Sequence, residues 1–596
     1  MKKYITILLI SFAVVFTSCD LDTAPTGSAS IEDVFRTTET ARLAVNGIAR
    51  LMVSQYLGTQ QLNGEGSIMH LYGDLGGNSL IMDNTGWAVF INRTFMDNAT
   101  SQWLWYPWAY YYRIIGDANT ILDNIHRAEE SRPGDRAHIT AQALVYRAYA
   151  FFMLSQLYSA RWMDSNNGEA RGIILRLNAL TPNDMPFSTL AETYAQIYED
   201  LERAISYFSL PDVARIARQA RSDISINVAR AIFARAALTR EDWATAAEMA
   251  AAARVGYPLM SNADMMGGFH TPTSEWIWGS HGSIAQNIFF FSFGATMGFN
   301  ADAGIVRSFP RLITRELFDQ IPETDIRRGW WQVLDFPGFS PGSRGDITRT
   351  GGRLVMPADM TYTQFDAALY TWFNTWFAGL DAADIPERPV RPADMTNRNP
   401  IVVGGETVSI GFVAWFNNWF NGWFNPIFNA FEARVRADFP GLTTAHTVAS
   451  HMQTKIGVFA QPGISHIPHI RSSEMILVEA EARARMGEEV AAQNLLLALN
   501  RGSGRNPAYT VTYTGQDLIN EIWLYRDIEL WGEGFNWFDL KRTGRPLVRR
   551  AKAAGGSFLP ALALSITPAG ENGWTLTIPD RETDFNRATH PPLPTP

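Results

Sequence analysis

The chain has 596 residues, of which 46% are hydrophobic and 18% charged, with a formal net charge of −9. That composition is ordinary for a globular protein with ample core, and it excludes a disordered chain. An acidic balance with no Lys/Arg stripe also argues against nucleic acid, whose binding rests on neutralising phosphates.

Met1-Lys2-Lys3 supplies a positive start and Tyr4 to Phe16 an apolar run of the length a signal peptide needs. Thr17 and Ser18 then precede Cys19, the only cysteine in the chain. Small residues followed at once by cysteine resemble the bacterial lipobox. The reading is therefore a lipoprotein signal peptide over 1–18, with lipidation at Cys19 and a tether over 19–29. Loss of Lys2 and Lys3 would take the net charge from −9 to −11. A lone cysteine excludes disulfides and thiolate metal clusters. The lipid would anchor the chain without spanning the membrane, and no later stretch approaches the roughly eighteen apolar residues of a span.

Ser30 caps a first helix, with Asp33 three residues on in a near capping-box arrangement. Val34, Ala41, Val45, Ile48 and Met52 form its buried side. Residues 58–100 are glycine-rich, polar and poorly periodic, which predicts a long ordered loop of the kind that carries function; Trp87, Phe90 and Phe95 lie in it. From Trp103 to Ser209 the pattern reads as helical throughout. Further helices follow around Ile226–Ala236, Asp242–Ala250, Ser473–Met486 and Val490–Leu499. Small alanines at the crossings with large apolar residues between them are how tetratricopeptide-type hairpins pack closely. The expected fold is mainly α: a tetratricopeptide-like scaffold of about four helix pairs, over about 103–255 and 472–542, within a single domain over 30–596.

Residues 256–471 break that rhythm into a large loop-rich, aromatic-rich middle region with minor β. It holds a short helix near Arg311–Gln320 and a strand-like run at Val402–Phe412. Within it lie Trp372-Phe-Asn-Thr-Trp376-Phe and Trp415-Phe-Asn-Asn-Trp419-Phe-Asn-Gly-Trp423-Phe-Asn425. A Trp every fourth residue makes a broad aromatic face on a helix. It reads either as a hairpin burying its own aromatics or as a platform (Trp415, Trp419, Trp423) for a ligand or protein.

Near the C-terminus, Ile519, Ile522, Trp523, Leu530 and Trp531 gather on one side of a helix. Arg526 and Glu529 stand close enough to pair across one turn. Gly532 and Gly534 stop that helix, and Trp537-Phe538 follow beside Asp539, Lys541 and Arg542. Arg526-Asp-Ile-Glu529-Leu-x-x-Glu533-Gly534-x-x-Trp537-Phe538-Asp539-Leu540-x-Arg542 resembles the C-terminal signature of the SusD/RagB family, the surface nutrient-binding lipoproteins of Bacteroidota. Gly573-Trp-Thr-Leu-Thr-Ile-Pro579-Asp-Arg-Glu582-Thr-Asp584-Phe-Asn586 resembles that family's closing motif. The order of the helix pairs and the Asn46-Gly47-Ile48 ending of the first helix are similar too. Arg526, Glu529, Glu533, Trp537, Asp539 and Arg542 read as a structural ion-pair signature rather than as catalytic groups.

No enzyme signature survives inspection. Gly338-Phe-Ser340-Pro-Gly342 has nucleophile-elbow spacing, but Pro341 lacks the N–H that the oxyanion hole requires. His466-Ile-Pro-His469 cannot align its rings on a helix and reads as surface polarity. A phosphate loop is absent, Arg344-Gly-Asp346 carries no information, and no carboxylate pair for glycoside hydrolysis stands out. No cofactor and no metal are expected.

The resemblance implies noncovalent capture of an oligo- or polysaccharide and its delivery to a SusC-like TonB-dependent transporter, at the outer membrane and exposed on the surface. It places the ligand surface on the loop after the first helix and on the middle region, here Trp87, Asn92, Arg93, Trp330 and Trp331. Competing readings are a surface-anchored all-α glycoside hydrolase and a lid or scaffold that captures peptides.

Overall fold

The computed structural model describes residues 30–56, 62–96, 98–218, 220–284, 292–334, 428–551, 556–567 and 574–588, with residue 554 and short pieces at 349–350, 353–354, 361, 364, 401–403 and 406–408. The leader, Cys19, the tether, the elbow-like and Arg344-Gly-Asp346 motifs, Trp372, Trp376, Trp415, Trp419, Trp423 and the tail from Thr589 lie outside them.

Ser30 does cap a helix, but only the single turn Ile31–Val34. The chain breaks at Phe35–Thr37, where Thr37 bridges Glu129, and restarts as α1 (Thr38–Leu51) behind a Thr37/Thr40 capping box. Two short caps thus replace the one helix expected, because Thr37 is held extended by its bridge. Ala41, Val45 and Ile48 still form the buried side.

The scaffold is α2 (Gln102–Asn124), α3 (Asp135–Tyr158), α4 (Leu190–Phe208), α5 (Ile226–Thr239), α6 (Trp243–Ala253), α7 (Ser472–Arg485), α8 (Glu489–Leu497), α9 (Gly515–Glu529) and α10 (Asn536–Thr543). Each of α2 to α7 packs on the next, and α8 and α9 both pack on α7. Alanine permits the close crossings: Ala231, Ala234, Ala236 and Ala237 of α5 and Ala246, Ala247, Ala250 and Ala253 of α6 are all buried. The stack therefore continues directly from α6 to α7, although residues 254–471 lie between them in sequence. Arg235 of α5 clamps Glu474 of α7 through two bonds of 2.6 and 2.7 Å. The middle region is an excursion from a continuous stack.

Residues 159–189 are not helical as expected; they hold one 3-10 turn, Trp162–Asp164, and a left-handed Asn166-Asn167-Gly168 step. Three successive positive-φ residues cannot continue a right-handed helix. Conversely, the predicted loop contains buried helix: Gly64–Ser67 runs into a π-helix, Ile68–Asp74. It is bound to α2 at a point set by Pro107. Proline has no N–H to bond the carbonyl four residues back, and the freed Trp103 carbonyl accepts from the Tyr72 hydroxyl at 2.5 Å.

Six strands organise the middle: β1 (Leu80–Ile81), β2 (Trp276–Ser280), β3 (Leu312–Ile313), β4 (Trp331–Gln332), β5 (Met452–Gln453) and β6 (Ile467–Arg471). An antiparallel sheet runs β1-β3-β5-β4, and β2 pairs antiparallel with β6. The predicted helix near Arg311–Gln320 splits into β3 and a single turn, Arg315–Phe318. The strand-like run further on pairs Ile401–Val403 with Glu406–Val408.

Candidate functional site

Two arrangements carry charge or aromatic surface in an unusual way. The first is the signature. Arg526 does not pair with Glu529, as its spacing predicted. It bonds Asp539 of α10 (3.1 Å), which Arg542 also holds at 2.7 Å. Arg542 reaches on to Glu481 of α7 at 2.7 Å. Left-handed Gly532 and Gly534 (φ +75° and +88°) reverse the chain between α9 and α10. That reversal brings Asp539 within 3.1 Å of Arg526.

Glu529 instead enters a hub built from the excursion. It meets Arg327 at 2.9 Å, Arg471 at 3.1 Å and Arg505 at 3.3 Å. Glu533 binds Lys455 at 2.6 Å and Arg471 at 2.7 Å. Glu275 binds Arg471 and Arg505 at 2.6 and 2.7 Å, and Asp325 binds Arg327 at 2.6 Å. Four cations thus face four carboxylates, all buried. Burial pushes the Glu529 carboxyl up, but the Arg505, Arg471 and Arg327 guanidiniums outweigh it and hold it far below the carboxylate range. Burial likewise opposes, and Arg526 and Arg542 overcome it, to bring Asp539 to about 2. Glu529 and Asp539, held ionised, have no proton to donate at neutral pH.

Trp537 is fully buried, with the Arg93 guanidinium 4.0 Å over its ring. The closing motif staples the tail to the stack: Glu582 accepts from the Trp108 indole at 3.1 Å and pairs with Arg176 at 2.9 Å. Asn586 bonds the Met185 backbone in both directions.

The second arrangement is a cleft of about 780 Å3 beside β4, lined by Trp331, Phe318, Gln332, Arg315, Arg328 and Arg434, with His451 at its wall. Trp331 stands edge-on to Trp531 (5.5 Å) and to Phe318 (6.2 Å). Arg328 lies 4.2 Å over the Phe318 ring. Burial draws the His451 ring down to about 4, so it is neutral at pH 7. Apolar rings beside guanidinium and amide groups are the mixture a ligand with apolar faces and hydroxyls requires.

The five anticipated ligand residues are not brought together. β1, which precedes Trp87, Asn92 and Arg93, and β4, which begins at Trp331, are opposite edges of the four-stranded sheet, about 14 Å apart at the usual strand spacing. Trp87 is half-buried against Phe90 (5.6 Å). Asn92 donates to the Ala561 carbonyl at 2.7 Å, and Arg93 is buried. Trp330 is fully buried and donates to the Met265 carbonyl at 3.0 Å. Only Trp331 lines the cleft. Sequence reasoning missed Phe318, Arg328, Gln332, Arg434 and His451; no motif marks them, because sheet pairing between distant segments gathers them.

His469 is a correction to the surface reading: it is buried, shares a hydrogen bond of 2.6 Å with Ser280 Oγ, and burial pulls it to about 3. His466 is half-buried between the rings of His281 (4.3 Å) and Phe459 (4.8 Å). Among the described residues no group of His, Cys, Asp or Glu is arranged to hold a metal ion, and no helix is long and apolar enough to cross a membrane.

Residues 54–235 match a family model described as starch-binding and associating with the outer membrane. Residues 435–584 match that of the SusD family. Among solved structures, the chain superposes on a SusD-like carbohydrate-binding protein of Bacteroides vulgatus with a TM-score of 0.65 at 19% identity, covering 94% of this chain and 99% of that one. A SusD superfamily protein of Bacteroides thetaiotaomicron gives 0.61 at 18% identity, covering 92% and 98%. Surface glycan-binding protein A of the same species, in complex with laminarihexaose, gives 0.56 at 14%, covering 92% and 97%. No curated protein matches the chain. These matches span both halves of the helical stack and the signature that joins them, and the chain belongs to the SusD/RagB family.

Proposed function

We propose that this protein binds an oligo- or polysaccharide without chemical turnover and hands it to a SusC-like TonB-dependent transporter, held at the outer membrane by a lipid on Cys19. The observation that carries the reading is the cleft beside β4, where the Trp331 and Phe318 rings border Gln332, Arg328 and Arg434. Ring edges and faces suit the apolar faces of sugars, and planar amide and guanidinium groups suit hydroxyls. The signature carboxylates support binding rather than hydrolysis, since each is engaged by cations. Trp87 offers a second, separate aromatic face.

Affinity electrophoresis against a polysaccharide panel tests this. Retardation by a glycan should be lost in Arg434→Ala, whose side chain is about half exposed, while the thermal midpoint holds. No retardation by any glycan, or retardation unchanged in that variant, overturns the cleft assignment. Release of reducing ends by the purified protein would overturn noncovalent capture. Co-purification with a SusC-like barrel tests the delivery step.

A further inference from the structure

Two buried basic side chains face the Trp537 ring, Arg93 at 4.0 Å and Lys541 at 5.3 Å, and buried Arg549 adds its field to Arg93. Lys541 Nζ donates to the Gln156 and Ser159 carbonyls at 2.6 and 2.7 Å. Arg549 donates to the Gly77 and Leu75 carbonyls at 2.7 and 2.8 Å, and to that of Ile91. Those two are hydrogen-bonded, but by neutral groups that leave the charges uncompensated.

Arg93 has less. Its backbone is in the left-handed region (φ +60°), held by its N–H on the Phe90 carbonyl and by Asn92 on Ala561. That conformation turns the side chain inward, where it is 5% exposed. Neither Nη1 nor Nη2 has a hydrogen-bond acceptor, and the Trp537 Nε1 beneath them has none either. The charged or ionisable neighbours felt by Arg93 are Arg549 and Tyr72, and those felt by Lys541 are Arg93 and Arg161. No carboxylate of the described residues joins them.

Arginine cannot shed its proton. The Trp537 face offers the Arg93 guanidinium a cation–π contact, but a buried charge whose N–H groups lack acceptors is still costly. Unsatisfied buried donors therefore point to an ion or a water that completes them. Water accepts hydrogen bonds but does not offset the charge of Arg93 and the neighbouring Arg549.

We propose that Arg93 Nη1 and Nη2 with Trp537 Nε1 bind a small monovalent anion the size of chloride. The ion closes the turn at residues 92–96 onto α10, with Lys541 and Arg549 supplying the surrounding positive field. It is distinct from the cleft beside β4 and from the neutral hub at Glu529.

Bromide serves as the probe. A crystal of the intact protein grown in bromide should show an anomalous peak within hydrogen-bond reach of Arg93 and Trp537 Nε1. In solution, the thermal midpoint should be about 1 °C higher in chloride than in gluconate at equal ionic strength, as for a site occupied tenfold over its dissociation constant in a chain of this length. That difference should vanish in Arg93→Met. No peak and equal midpoints in the two salts overturn the proposal, and would leave the charge to be met within the chain, with Asp97 four residues on as the nearest acid in sequence. A peak that persists in Arg93→Met marks an adventitious ion only and overturns it equally.

Discussion

Arg471 is the keystone of the hub, and Arg471→Met tests the account of it. The guanidinium donates to Glu275 (2.6 Å), Glu529 (3.1 Å), Glu533 (2.7 and 2.8 Å), Ser473 Oγ (2.8 Å) and the Glu529 carbonyl (3.1 Å), at 1% exposure. Methionine fills much of the volume but leaves three cations facing four carboxylates. Breaking a buried pair by removing one partner costs about 3–5 kcal/mol, because the remaining charge is stranded. For 596 residues, at roughly 2 cal/mol/K of unfolding entropy per residue, about 4 kcal/mol lowers the thermal midpoint by about 3 °C. Calorimetry on the wild type and variant reads this directly. The charge-restoring pair Arg471→Met with Glu533→Gln should recover most of the loss. The exposed pair Arg434–Asp438, with both side chains about half exposed, should cost under about 0.5 kcal/mol when cut by Asp438→Ala. Acid should bite earlier in Arg471→Met. Glu529 is depressed in the fold, so the stability it contributes is present above its ordinary value near 4.5 and is lost as pH falls toward its folded one. With Arg471 gone, that loss begins at a higher pH. A midpoint drop no larger than that of Asp438→Ala, or a double variant no better than the single, would refute the charge-balance argument.

Three further outcomes follow from the same structure. His469 falls from 6.5 to about 3 on burial, so its contribution is present above about pH 6.5 and is lost as pH drops; His469→Gln should remove about 2 kcal/mol of the loss between about pH 6.5 and 5, read by urea unfolding at each pH. Gly534→Ala places a methyl 2.7 Å from Met69 Cβ at a φ of +88°, and the soluble yield and thermal midpoint should both fall, with a cost above about 2 kcal/mol. Glu582→Ala strands the Trp108 indole and Arg176; it should cost about 1–3 kcal/mol and bring early proteolytic clipping near residues 574–588, seen by mass spectrometry. If the tail resists protease as in the wild type, the staple is not what holds it.

How much was legible in the sequence follows the range of the interactions. The helices α2 to α8 were readable because apolar periodicity and the small alanines at their crossings act within a few residues of one another. The signature was recognisable as an ion-pair set, yet its pairing was not. Arg526 had Glu529 three residues away and chose Asp539, since two left-handed glycines fold α10 back against it. The break at Phe35–Thr37 and the π-helix at Ile68–Asp74 were likewise hidden, being imposed by Glu129 and by packing on α2 and Gly534.

The candidate site lies almost wholly on the tertiary side of that line. Trp330 and Trp331 are both aromatics of the excursion and both are buried, but nothing local says that Trp330 lies wholly in the core while Trp331, at 3% exposure, borders a cleft. Nor could spacing reveal that Leu80–Ile81 and Trp331–Gln332 are edges of one sheet, with Leu312–Ile313 and Met452–Gln453 between them. By itself the sequence determined the helical scaffold, its alanine crossings and a surplus of ionic groups among aromatics. Only the tertiary structure decided which charges meet and which rings border the cleft, because burial makes a charge seek whatever partner the fold brings within about 3 Å, regardless of its distance along the chain.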